Sequence, residues 1–223
     1  MAISLPPSGW RSRPALIRSA IYTLGLLPAV ISFTLAFTDR LGADPVKTLE
    51  HDLGTMALRF LIAGLAITPL RKIGGPNLVR YRRAVGLLAF AYAVLHVTVW
   101  LWLDRGLDGA EIWKDLAKRP YIMVGMLTFL ILLPLAATST NGMIRRLGAA
   151  NWQRLHKWVY VAAVAACIHF ILAVKAWPPE PLIYAAITAG LLGWRTWDAW
   201  RTSIVPRSLP TAASRTPERA PTV

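Results

Sequence analysis

The chain has 223 residues, 55% of them hydrophobic and only 16% charged, with a formal net charge of +14 and a single cysteine. Several apolar runs approach the roughly 20 residues needed to cross hydrocarbon, which puts the chain in the membrane class and leaves no stretch for a soluble domain. The basic residues lie between the apolar runs, the pattern of a positive-inside bias, which argues against nucleic acid as a partner. Cys167 alone, with no CxxC or CxxCH, excludes an internal disulfide and argues against a zinc ribbon, an iron–sulfur cluster and c-type haem attachment.

In chain order, residues 1–15 form a short, basic, proline-containing cytoplasmic segment. Residues 16–200 hold the transmembrane domain, and residues 201–223 form a disordered cytoplasmic tail rich in Pro, Ser, Thr and Arg. The first span, Leu16 to Phe37, is longer than a secretory h-region, and no small-x-small cleavage site follows it cleanly, so it reads as a retained helix. The second runs from Leu53 to Leu70 and stops before Gly74-Gly75-Pro76. Ala84 to Leu103, Tyr121 to Ala137 and Asn151 to Lys175 are the third to fifth, and Leu182 to Trp197 is the sixth, after Pro178-Pro179. The expected fold is all-α, a polytopic bundle of six transmembrane helices with haem held between helices 3 and 5.

Charge placement sets the orientation. Arg11, Arg13 and Arg18, then Arg71 to Arg83, then Arg145 to Lys157, fall on one side, while Asp39, Asp44, Glu50, Asp52, Asp104, Asp108, Glu111 and Asp115 fall on the other. Both termini are therefore expected in the cytoplasm of a multi-pass protein of the bacterial inner membrane. Trp100, Trp102, Trp113, Trp152, Trp158, Trp177, Trp194 and Trp197 read as interfacial belts against membrane lipid.

Ionisable residues at membrane depth are costly and usually functional. The chain has four histidines: His51, His96, His156 and His169. His156 and His169 share the fifth span, thirteen residues apart, which is about 20 Å along a helix axis. That is too far for one metal ion and suits one ligand at each of two stacked sites. Imidazole is an axial ligand of haem iron, and a porphyrin sits readily between helices. His96 lies about seven residues from the outer end of span three, and His169 about six from the outer end of span five. They share a level, which makes them the expected pair on one iron.

His156 is expected to serve an inner haem. The span-three positions at its level are Arg82 and Arg83, poor metal ligands but good bidentate partners for a haem propionate, and also ordinary inside-positive charges. His51, at the outer mouth of span two, is open to three roles: substitute ligand, propionate partner or quinone contact. Arg59, eight residues on, faces either a propionate or the outer interface.

Three stretches together, Leu147-Gly148 with NWQRLHKWVY over 151–160 and His169, His96 in span three, and HDLGTMALRFLIAGLAITPLRK over 51–72, carry a resemblance. The chain resembles the haem-binding membrane subunit of the bacterial periplasmic methionine sulfoxide reductase system, in the ferric-reductase-like transmembrane group. The resemblance implies heme b (one or two), FMN, electrons drawn from quinone/quinol, and delivery to a periplasmic molybdenum-containing catalytic subunit. It carries His96, His156 and His169 over as haem ligands. The larger group has two histidines on each of two helices, and this chain departs by offering Arg82 or Arg83 in place of the fourth. The flavin phosphate is expected at Arg145, Arg146 and the backbone from Thr138 to Gly142. No GxGxxG is present and only a short tail follows span six, so a partner is expected to supply or receive electrons. The alternatives are a self-sufficient transmembrane haem or metal reductase, and a proton-coupled transporter using the intramembrane histidines.

Overall fold

The computed structural model describes residues 9–174, 176 and 178–204. The expectations for Met1 to Ser8, for Trp177 and for the tail beyond residue 204 lie outside the described residues. Those described form helices and connecting turns with no strand: α1 (Gly9–Phe37), α2 (Pro45–Lys72), α3 (Arg82–Val99), α4 (Gly109–Lys118), α5 (Pro120–Ala137), α6 (Asn141–Leu147), α7 (Ala149–His156), α8 (Trp158–Ala173) and α9 (Pro179–Ile204). A five-residue π segment, Trp100–Asp104, continues α3.

Five helical stretches are long and apolar enough to cross a membrane: Leu16–Phe37, Pro45–Lys72, Val79–Asp104, Pro120–Ala137 and Ala149–Ala173. Their outward faces carry exposed Leu24, Leu27, Val30, Leu127, Leu130, Val164 and Ile168, a surface that only lipid would cover. The chain is a multi-pass membrane protein. At 26 residues α9 is long enough to join them, but Arg195, Asp198 and Arg201 in its second half lower its hydropathy.

Two departures from the sequence-based boundaries bear on the site. Asp44 caps α2 through its side chain to the Lys47 N–H, and Pro45 opens the helix, so α2 starts eight residues before Leu53 and takes in His51. The fifth span is two helices, because at Lys157 the backbone tightens toward 3-10 geometry (φ −67°, ψ −22°). His156 therefore closes α7, and His169 stands near the end of α8.

The bundle is built from two close pairs, α2 along α3 and α5 along α8, joined by α3 against α5 and by α9 against α8 and α2. Its centre is Leu61, Leu65, Ala89, Leu132, Ala162 and Ala163. The small α8 residues let the helix backbones approach closely, as packing within lipid requires. A second cluster joins Ala29, Leu49, Leu53, Tyr92 and Val99. Tyr92 is fully buried and ties α1 to α3, its hydroxyl donating to the Gly25 carbonyl (2.7 Å) and accepting from the Ala29 N–H (3.0 Å).

Candidate functional site

His96 from α3 and His169 from α8 meet inside the bundle, their ring centroids 6.1 Å apart and their planes at 76°. Each ring is tied to a main-chain carbonyl: His96 Nδ1 lies 2.8 Å from the Glu50 oxygen, and His169 Nδ1 lies 2.6 Å from the Tyr121 oxygen. A carbonyl only accepts, so each Nδ1 must carry the proton, and each Nε2 is left as a bare lone pair. That is the tautomer a metal-ligating imidazole needs, fixed by its outer partner.

The same local device holds both rings. Four residues after each accepting carbonyl stands a glycine: Gly54 after Glu50 on α2, Gly125 after Tyr121 on α5. Four residues is one helical turn, so each glycine lies beside its carbonyl on one helix face. A Cβ at Gly54 would come within 3.1 Å of His96 Nδ1, and one at Gly125 within 2.7 Å of His169 Cε1 and Nδ1. The rings lie against bare backbone, tightly at Gly54 and with no room for a Cβ at Gly125.

Two facing imidazoles fit an iron that brings its own equatorial ligands. With metal–imidazole bonds of about 2 Å, rings on opposite sides of one iron have centroids about 6 Å apart. Among the described residues no group of three or more His, Cys, Asp or Glu comes together, so these histidines do not complete a protein-only metal site. The set suits a porphyrin.

The opposite end of the α7–α8 span is different. His156 stacks on Trp152, 3.8 Å between centroids, and the Trp152 indole N–H donates to the Thr138 carbonyl (2.9 Å). The His156 Nε2 stands 3.4 Å from Ser139 Oγ, and the ring lies near the main-chain groups of Trp152 and Leu135. The ring borders a cavity of about 730 Å³ shared with Arg18, Arg80, Arg82, Arg83 and Lys157, and walled by Phe60, Phe90 and Tyr160. Basic groups at the rim and aromatic walls inside fit a flat, anionic cofactor.

The structure thus places Arg82 and Arg83 on the cavity that His156 borders. Arg59 is exposed; its Nε donates to the Tyr184 hydroxyl (2.6 Å) and its Nη2 pairs with Glu180 (3.5 Å). His51 is exposed on α2, edge-on to Phe170 at 5.5 Å. Arg145 and Arg146 border a separate hollow of about 470 Å³ with Thr140, Gly142 and Met143.

Of the expected belt tryptophans, Trp102, Trp113, Trp158 and Trp197 are exposed, whereas Trp100 is buried and Trp152 belongs to the His156 stack. Gly54, Gly125 and Ser139 escaped the sequence reading, as did Arg195. Arg195 donates to the Leu65 carbonyl (2.6 Å) and the Tyr160 hydroxyl (3.1 Å) behind the cavity wall. A lone arginine inside an apolar run was the signal available for it.

Residues 53–167 match the family described as ferric reductase like transmembrane component, an interval holding His96, His156 and both glycines. The chain belongs to that family. It is 54% identical over 175 residues, 78% of this chain and 79% of the relative, to the protein-methionine-sulfoxide reductase heme-binding subunit MsrQ of Brucella ovis. The proteins of the same name from Brucella canis and Brucella suis match to the same extent.

Proposed function

We propose that this chain is the membrane electron-transfer subunit that passes electrons from the quinone pool through b-type haem to a periplasmic molybdenum-containing methionine sulfoxide reductase subunit. Its role is then the repair of oxidised periplasmic proteins, with no substrate-reducing site of its own. The observation that carries this reading is the facing pair His96 and His169, both proton-bearing at Nδ1 by their carbonyl partners. A haem held there supplies one-electron iron chemistry at a level near the outer surface. The protein's own part is to fix the two rings, each Nδ1–H donating to its carbonyl, within the buried interior of the bundle. The names of the relatives support a haem-binding role beside a methionine sulfoxide reductase.

The cavity beside His156 is the proposed place for a second planar cofactor, a second haem or FMN. The hollow at Arg145 and Arg146 fits a phosphate but offers a ring only Met143, while the larger cavity offers Phe60, Phe90 and Tyr160. In either case Arg82 and Arg83 would meet the anionic groups, and Ser139 would stand at His156 Nε2.

In the same reading α9 is the sixth span and both termini face the cytoplasm of the inner membrane. Its Arg195 turns inward onto Tyr160 and Leu65, and its Asp198 pairs with Lys72 at the cytoplasmic end of α2. A reporter active only outside should work in the Gly106–Gly109 loop and fail after Arg201, and the opposite result would reverse the topology. For the function, a reduced-minus-oxidised optical spectrum of the purified protein should show b-type Soret and α bands that respond to quinol. A colourless protein would refute the reading.

A further inference from the structure

The two residues whose carbonyls orient His96 and His169 are joined through their side chains by a run of ion pairs that ends on the Tyr121 hydroxyl. The Glu50 carboxylate meets Lys47 Nζ (3.1 Å), and Lys47 meets Asp104 (2.8 Å) in the π segment. Asp104 meets Arg105 (3.0 Å), whose Nε lies 2.7 Å from Asp115 of α4. Asp115 also meets Arg119 Nε (3.0 Å), and Arg119 Nη1 donates to the Tyr121 hydroxyl (3.0 Å). The run begins at the residue whose carbonyl holds one histidine and ends at the residue whose carbonyl holds the other.

Its centre is not a surface decoration. Asp115 is 3% exposed, and the side chains of Arg105 and Asp104 are 17% and 14% exposed. Exposed single pairs contribute little, but removing one partner of a buried pair leaves an uncompensated charge and the geometry gives way. Four elements, α2, the π segment, α4 and the start of α5, are clamped by it. Asp104 and Asp115 are thereby engaged within the chain, while Asp108 caps α4 and Glu111 pairs with Lys114.

We propose that this strap, with Asp115 at its centre, is a positioning device that sets the relative orientation of the His96 and His169 rings by fixing the helix ends that carry Glu50 and Tyr121. The inference rests on the reading of those histidines as the ligands of one haem. Their 76° interplanar angle is the quantity the strap holds. Slackening it lets the two carbonyls shift, so the Nδ1–H bonds weaken and the imidazoles become poorer donors to ferric iron. Loss of a buried negative charge acts in the same direction, so the midpoint potential rises.

The test uses full-length, haem-loaded protein in detergent, with low-temperature EPR of the ferric state and a redox titration. Asp115→Asn should stay low-spin but change the anisotropy of its signal, which follows the angle between ligand planes and not charge alone. Its potential should rise by at least the equivalent of a tenfold shift in the one-electron equilibrium, ~59 mV. Asp115→Glu, which keeps the charge, should recover most of both, and Glu111→Gln, on the same helix outside the strap, should match wild type. Wild-type anisotropy and potential in Asp115→Asn overturn the proposal, whatever that variant's thermal stability. If Asp115→Asn does not accumulate, Arg119→Gln at the strap's exposed end is read by the same two measurements. A His96→Ala control separates the layers: loss of the low-spin signal upholds the ligand assignment, and its persistence overturns the assignment and the strap with it.

Discussion

The two ends of the α7–α8 span, outer and inner in the proposed topology, hold one histidine each, in opposite circumstances. At the outer end His169 faces His96, both Nδ1 atoms are bonded to carbonyls, and both rings lie on glycine. At the inner end His156 faces a basic cavity of about 730 Å³, its ring stacked on Trp152 and its Nε2 near Ser139. The outer site is organised in advance, so little ordering is left for a cofactor to impose. The inner site is shaped for bulk and charge, and its ligand set is open. One span, broken at Lys157, thus serves one site by geometry and another by electrostatics.

The comparison breaks most visibly at the histidines. His169→Ala should remove the low-spin spectrum of the outer haem altogether, while His156→Ala should leave that spectrum intact and alter only the inner component. Optical and EPR spectra of the two purified variants check this, and an unchanged outer signal in His169→Ala would mean the ends have been wrongly distinguished.

The glycines sharpen it. Gly125→Val puts a branched side chain where a Cβ alone meets His169 at 2.7 Å, whereas Gly54→Ala meets His96 at a more tolerable 3.1 Å. Overpacking costs about 1–3 kcal/mol, equivalent to roughly 5- to 150-fold in occupancy. Haem content per protein should therefore fall about tenfold or more in Gly125→Val and only slightly in Gly54→Ala. Equal haem in both variants and wild type would show that the glycines do not shape the site.

The smallest effect is expected at the inner rim. Arg82→Gln and Arg83→Gln each remove one of several cations on the cavity, and Arg83 is exposed. Each should weaken retention of the inner cofactor about 3- to 10-fold, with more loss in the double variant, and leave the outer spectrum unchanged. Cofactor titration by absorbance measures this, and an effect confined to the outer signal would count against the assignment.

Much of this was readable from residues alone. Five of the six expected spans follow from hydropathy, and His96 and His169 come together because both lie a similar distance from the ends of their helices. The break at Lys157 was not readable, since NWQRLHKWVY is continuous in composition and helix-compatible throughout. Nor was the orienting shell, because its acceptors are main-chain carbonyls of Glu50 and Tyr121, and a carbonyl leaves no mark in a sequence. The glycines four residues later do leave one, but Gly54 and Gly125 gain meaning only when the facing ring is known. Nor were the ion pairs of Asp104 and Asp115 readable, because pairing across α2, α4 and the π segment is tertiary.

The central claim is that His96 and His169 hold the same iron, and the most direct measurement is haem-to-protein stoichiometry across a double-variant cycle. If they share one haem, His96→Ala, His169→Ala and the double variant should each lose the same single haem relative to wild type, with no further loss in the double. A double variant that loses twice what either single variant loses would show that the two histidines serve different haems and would contradict the account.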